Sequence, residues 1–257
     1  MSRSISLFAA VAAATTAVLG AVAAPASASS LTGTEYDCTA GCDLKTLIDN
    51  DGYFLVKDKW FGNFKYISQT HIGDPLPSDP LPVGGLKITE DPLGADGPGL
   101  ILGGAMRADS FDVKDFLFGY DVHVHDPIKK ITDIHLGFDA ILKGTGVAAI
   151  SENIFDITAD GLTGPSLLPG GRPIEVDADA NGGTFAAWAD LKTPVKWARV
   201  EKDIFYKGGR NGSATISIIH QRFSQSVPEP GAVVGLLAIG SLGISQILKR
   251  HKQENKN

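Results

Sequence analysis

The chain has 257 residues, 23 Lys and Arg against 29 Asp and Glu, a formal net charge of −6, 30 glycines and two cysteines. Setting the two ends aside leaves about 196 residues, 31–226, with a net charge near −9. Such an acidic balance excludes nucleic-acid partners, whose phosphates need basic stripes, and the length suits one sizeable domain better than two small ones.

In chain order, Arg3, the apolar stretch 7–23 and the small-residue exit Ala26-Ser27-Ala28 read as a secretory signal peptide over 1–28, with Ala24-Pro25-Ala26 as a competing cleavage pattern. A permanent N-terminal anchor is the alternative; Thr15-Thr16 and the small-residue exit argue against it. The passenger, 29–226, is thereby expected outside the cytoplasm. There Cys38 and Cys42 predict a small disulfide loop that pins the N-terminal segment. The loop is too short to restrict the unfolded chain much. A redox pair would want Cys-x-x-Cys before a helix, a pattern absent here.

Asp43 to Ile48 predicts one short helix, capped by Asp43 and apolar on the Leu44, Leu47, Ile48 face. The remainder alternates between apolar and polar residues and predicts strands at 53–57, 63–69, 86–90, 100–102, 115–125, 131–142, 146–158, 184–188, 195–200, 204–207 and 214–222. On 115–125, Phe116, Phe118, Tyr120, Val122 and Val124 share one face. On 214–222, Thr215, Ser217, Ile219 and Gln221 oppose Ile216, Ile218, His220 and Arg222, so one face is less clearly apolar, which predicts an edge strand or one buried on both sides. The stretch 74–104 holds six prolines and seven glycines and predicts a long loop around two brief strands. The pattern as a whole predicts an all-β, antiparallel β-sandwich, jelly-roll or immunoglobulin-like.

Three constellations could carry chemistry. Asp177, Asp179 and Asn181 followed by Gly182 match the first half of a calcium loop, although Trp188 stands where a bidentate Glu is needed; an ordinary turn is the competing reading. Asp121, His123 and His125 alternate on one predicted strand face, with His135 expected on a neighbouring strand, and could ligate a transition metal in a hydrolase; a solvated strand face is the competing reading. Trp60, Trp188 and Trp197 could stack on sugar rings if exposed on one face, or else belong to the core. No Gly-x-Ser-x-Gly occurs and the only cysteines are expected to pair, so no catalytic residue is assigned. The expectation is a non-enzymatic protein with no cofactor unless calcium.

The C-terminal end is the most specific segment. Val227-Pro228-Glu229-Pro230 is followed by an uncharged run, 231–248, long enough at ~1.5 Å per residue to span a bilayer as a helix. Lys249, Arg250 and Lys252 then act as a cytoplasmic stop. This tripartite end resembles the PEP-CTERM sorting tail of bacterial exosortase substrates, over about 26 residues; its basic end is longer than usual and carries a polar extension, 253–257. The resemblance implies a membrane tether, processing by a membrane-embedded cysteine transpeptidase of exosortase type, and delivery to the cell envelope, cell surface or exopolysaccharide matrix. The passenger, through Asp58-Lys59-Trp60-Phe61-Gly62-Asn63-Phe64 and Gln221-Arg222-Phe223-Ser224-Gln225 among others, is similar to a group of cyanobacterial PEP-CTERM passengers of unestablished role. A structural or glycan-associating module, with exopolysaccharide as partner, is the function expected. A metal-dependent hydrolase and a calcium-stabilised adhesion module are its rivals.

Overall fold

A computed structural model describes residues 33–72, 85–92, 97–158 and 161–227. The signal segment 1–28, the span 231–248, and Pro228, Glu229, Pro230, Lys249 and Arg250 of the sorting motif lie outside the described residues. Among the described residues no helix is long and apolar enough to cross a membrane.

The strands run, in chain order, β1 Cys42–Asp43, β2 Phe54–Val56, β3 Lys59–Ile72, β4 Lys87–Asp91, β5 Gly99–Ala108, β6 Val113–Val124, β7 Lys130–Lys143 and β8 Val147–Ile157. They continue as β9 Thr163–Ser166, β10 Ile174–Asp179, β11 Gly182–Thr184, β12 Ala186–Val195, β13 Trp197–Lys207, β14 Ser213–Arg222 and β15 Gln225–Ser226. All pair antiparallel in two sheets. The first has the order β1-β4-β5-β14-β7-β12, with β15 also on β7. The second has β11-β10-β8-β13-β6-β3-β2, with β9 also on β8. The inner faces of the two sheets meet in a single core, so the fold is an antiparallel β-sandwich.

Local chemistry accounts for several elements. Helix α1, Leu44–Asp49, is capped by the Asp43 carboxylate, which accepts from Thr46 N at 3.0 Å, and buries Leu44 and Leu47. The Cys38–Cys42 disulfide is formed next to it. On β6 the predicted face is the buried one, Phe116, Phe118, Tyr120, Val122 and Val124. Phe54, Phe61, Phe64 and Phe118 stack around it.

Three expectations about strands are corrected. Strand β14 is not an edge: it lies between β5 and β7, and a register shift between Ile216 and Ile218 moves the inward set from Ala214 and Ile216 to Ile219 and Gln221, which blurs the alternation. Strand β5 does not stop at 102. Gly104 and Ala105 form its half of that irregularity and the pairing resumes from Met106 to Ala108. The predicted pair 195–200 and 204–207 is one strand, β13, because Lys202 points inward. Its ammonium donates to the carboxylate of Glu152 on β8 and to the side-chain carbonyl of Gln221 on β14, across the sandwich. All three residues are fully buried, and burial pushes the Lys202 ammonium well below its ordinary value. Gln221 Nε2 in turn donates to the His135 carbonyl at 3.0 Å. One polar link thus ties the middles of the two sheets together.

Candidate functional site

The predicted site residues separate onto the two outer faces of the sandwich. On the second sheet, Trp60 of β3 and Trp197 of β13 both pair in register with His123 of β6. His123 stacks on Trp197 at 4.0 Å, and Tyr53 stacks on Trp60 at 5.0 Å. Burial in this stack, with repulsion from Lys196 and His125, lowers the His123 imidazole to about 4, so it is neutral at physiological pH. Asp121, next along β6, accepts from Arg199 through Nε and through Nη2 at 3.0 Å, and from Asn63 Nδ2 at 2.6 Å. Its oxygens are therefore engaged by a guanidinium.

His125 continues the β6 face, but His135 does not adjoin it: β6 neighbours β3 and β13, whereas His135 lies on β7 in the first sheet. That expectation is corrected, since alternation places residues along a strand but not strands beside one another. Asp177, Asp179 and Asn181 lie on the β10–β11 hairpin, where Asp179 pairs with Gly182 and its carboxylate accepts from Asn181 N at 2.7 Å. This is the geometry of a short side-chain-supported turn. Among the described residues no group of three or more His, Cys, Asp or Glu is placed to hold a metal ion.

The first sheet's outer face is different. Strand register lines up Asp91, Gly99, Arg222, His135 and Trp188 in one row across β4, β5, β14, β7 and β12. The next row holds His220, Gly137 and Ala186. Between these rows lies an open groove of about 360 Å³, bordered by Trp188, Phe185, Asp139, His220, His135 and Arg222. That volume falls within the usual range of small-molecule sites, roughly 300–1,000 Å³. Trp188 is 63% exposed and Phe185 43%, so both offer aromatic surface to solvent. Trp188 lies 6.4 Å from His135, and Phe185 rests on the buried Phe138 at 5.5 Å.

Each basic group of the groove has an acidic neighbour. Arg222 Nε donates to Asp91 at 2.7 Å, and His135 Nε2 meets Asp133 at 3.1 Å. His220 Nε2 stands 3.8 Å from the Asp139 carboxylate, too far for a hydrogen bond. Trp188 and His135 were both candidates from the sequence, for different chemistries on different strands. Phe185, Asp139, His220 and Arg222 were not, and no local motif marks them, because only the pairing of β7 with β12 and β14 brings them together.

Fold and groove define a class: a two-sheet antiparallel β-sandwich with an aromatic-bordered groove on one outer face. No family model and no curated protein matches the chain. Solved structures that it resembles include the carbohydrate-binding module TmCBM61 in complex with β-1,4-galactotriose, at 12% identity and TM-score 0.28 over 61% of this chain and 88% of that one. The enzymatically active domain of tailspike protein 4 from bacteriophage CBA120 overlaps at 12% identity and TM-score 0.28, over 66% of this chain and 20% of that one. A promiscuous carbohydrate-binding module of the β-sandwich superfamily overlaps at 10% identity and TM-score 0.24, over 65% and 56%. Overlaps this loose carry no argument about function.

Proposed function

We propose that the chain is a non-catalytic glycan-binding module, exported and held at the cell envelope or in an exopolysaccharide matrix by its PEP-CTERM tail. The observation that carries the glycan reading is Trp188, a large aromatic face left mostly in water beside a polar groove. Burying an indole on folding is favourable, so its exposure at the border of a groove suits a ligand with an apolar ring face and hydroxyl edges. The strand path supports a jelly-roll winding, since β5, β6, β7 and β8 alternate between the sheets. The sorting part rests on the tail's three consecutive features, Pro-Glu-Pro, uncharged run and basic stop.

Binding and sorting are tested separately on protein from its native cells. Trp188→Ala is expected to weaken polysaccharide binding by about tenfold or more, the scale of a truncated aromatic hot spot, with the melting temperature unchanged. Wild-type binding that survives this substitution would refute the groove as the site. Intact-protein mass is expected to place the mature C-terminus near Pro228-Glu229-Pro230; a mature chain ending at Asn257 would refute processing.

A further inference from the structure

Resting on the glycan-binding reading, we infer that the groove takes a neutral sugar ring, and that Gly137 is the specificity-determining residue that admits it. Two independent observations carry this, one steric and one electrostatic.

Gly137 sits in the interior of β7, where glycine forfeits both packing and conformational entropy. Gly99 on β5, in the adjoining row opposite Arg222, shows what a packing glycine looks like: a Cβ there would lie 1.8 Å from the Gln221 carbonyl oxygen. At Gly137 a Cβ would meet only the Phe185 carbonyl at 3.6 Å and His220 Cβ at 3.8 Å, ordinary contact distances, and the backbone is not left-handed. Nothing in the folded chain demands glycine. What its missing side chain does is keep the groove floor flat between Trp188 on one side and Asp139 with His220 on the other.

The charges set the ligand class. The ionisable groups at the groove form three pairs, Arg222 with Asp91, His135 with Asp133 and His220 with Asp139. Even with both imidazoles protonated, three cations face three carboxylates, so the site is at most neutral. An anionic sugar, a uronate or sulfate ester, would bring an uncompensated negative charge. The His220–Asp139 pair, open at 3.8 Å, suits hydroxyls instead: Asp139, with 69% of its side chain exposed, accepts from one, and Nε2 of His220 meets another. Nδ1 of His220 is buried without a hydrogen-bond partner among the described residues, which leaves Nε2 to meet the ligand.

The full chain, in mild detergent, is titrated calorimetrically with neutral gluco-, manno- and galacto-oligosaccharides, each beside its uronate counterpart. At least one neutral compound is expected to bind, with its uronate weaker by about tenfold or more. Gly137→Val should melt like wild type and lose about tenfold or more in affinity, because its methyl groups fill the floor. Should it fail to fold, Gly137→Ala, whose single methyl has room, is expected to fold and bind more weakly than wild type. Uronate binding equal to or tighter than neutral, or wild-type affinity in a folded Gly137 variant, overturns the inference while leaving Trp188-dependent glycan binding in place. No binding by wild type, or binding indifferent to Trp188→Ala, overturns the glycan reading itself.

Discussion

The two outer faces of the sandwich use similar residues to opposite ends. On the second sheet, Trp60, His123 and Trp197 occupy paired positions on three adjacent strands, and the indole of Trp197 closes on the imidazole at 4.0 Å. Asp121 and Arg199 beside them neutralise each other. Their chemistry is spent within the chain. On the first sheet Trp188 and His135 are also cross-strand partners, but their rings stand 6.4 Å apart, Trp188 is mostly in water, and the adjoining strand position is a glycine. The contrast shows that residue type does not make a site. Availability does, and availability depends on whether cross-strand neighbours satisfy one another first.

The largest test concerns what holds the two faces at fixed separation and register. Glu152→Ala leaves the buried Lys202 ammonium without its carboxylate and is expected to destabilise by about 3–5 kcal/mol, the usual cost of breaking a buried ion pair. Chemical denaturation measures it; a loss within about 0.5 kcal/mol, typical of a surface site, would show the link to be dispensable. Next in size, Trp197→Ala should cost of the order of 2 kcal/mol, less than the ~3–5 of a fully buried aromatic, and leave glycan affinity unchanged. It is the mirror of Trp188→Ala, which spares stability and removes binding. If both variants lose binding equally, the division of labour between the faces is wrong.

The smallest effect is a pH dependence at the far end of the second face. Burial, a hydrogen bond with Asp203 and repulsion from it raise the Asp115 carboxyl to about 6. The folded state therefore holds a proton that the unfolded state has released between about pH 4 and pH 6. Stability from this group is fully present below that window and lost as pH rises through it. Asp115→Asn, which cannot ionise, should gain in melting temperature relative to wild type as pH goes from 4 to 7. A difference independent of pH would mean that the two carboxylates do not share their proton.

Much of the sandwich was legible because its signals are local. The five-residue apolar face of β6, the Asp43 cap of α1 and the closely spaced Cys38 and Cys42 each involve neighbours in sequence. Where the reading failed, a distant partner had changed the meaning of a residue. Lys202 looked like a break in β13 because its acidic and amide partners lie 50 and 19 residues away. Strand β14 could be read as an edge or as a strand buried on both sides, because its register shifts where β5 and β7 flank it and blurs the alternation. Of the groove, Trp188 and His135 were visible as aromatic and titratable residues, but nothing nearby in the chain joined them to His220, Asp139 or Gly137.

The order of amino acids alone was enough to set the all-β class, because side-chain alternation is a property of consecutive residues in an extended backbone. It also supplied the acidic charge and the tripartite end. Which strands lie side by side was settled only by tertiary pairing, since a hydrogen-bonded ladder joins segments that share no local signal and a one-residue slip would turn each side chain to the opposite face. That pairing closed one set of aromatics on itself and left Trp188 open above Gly137.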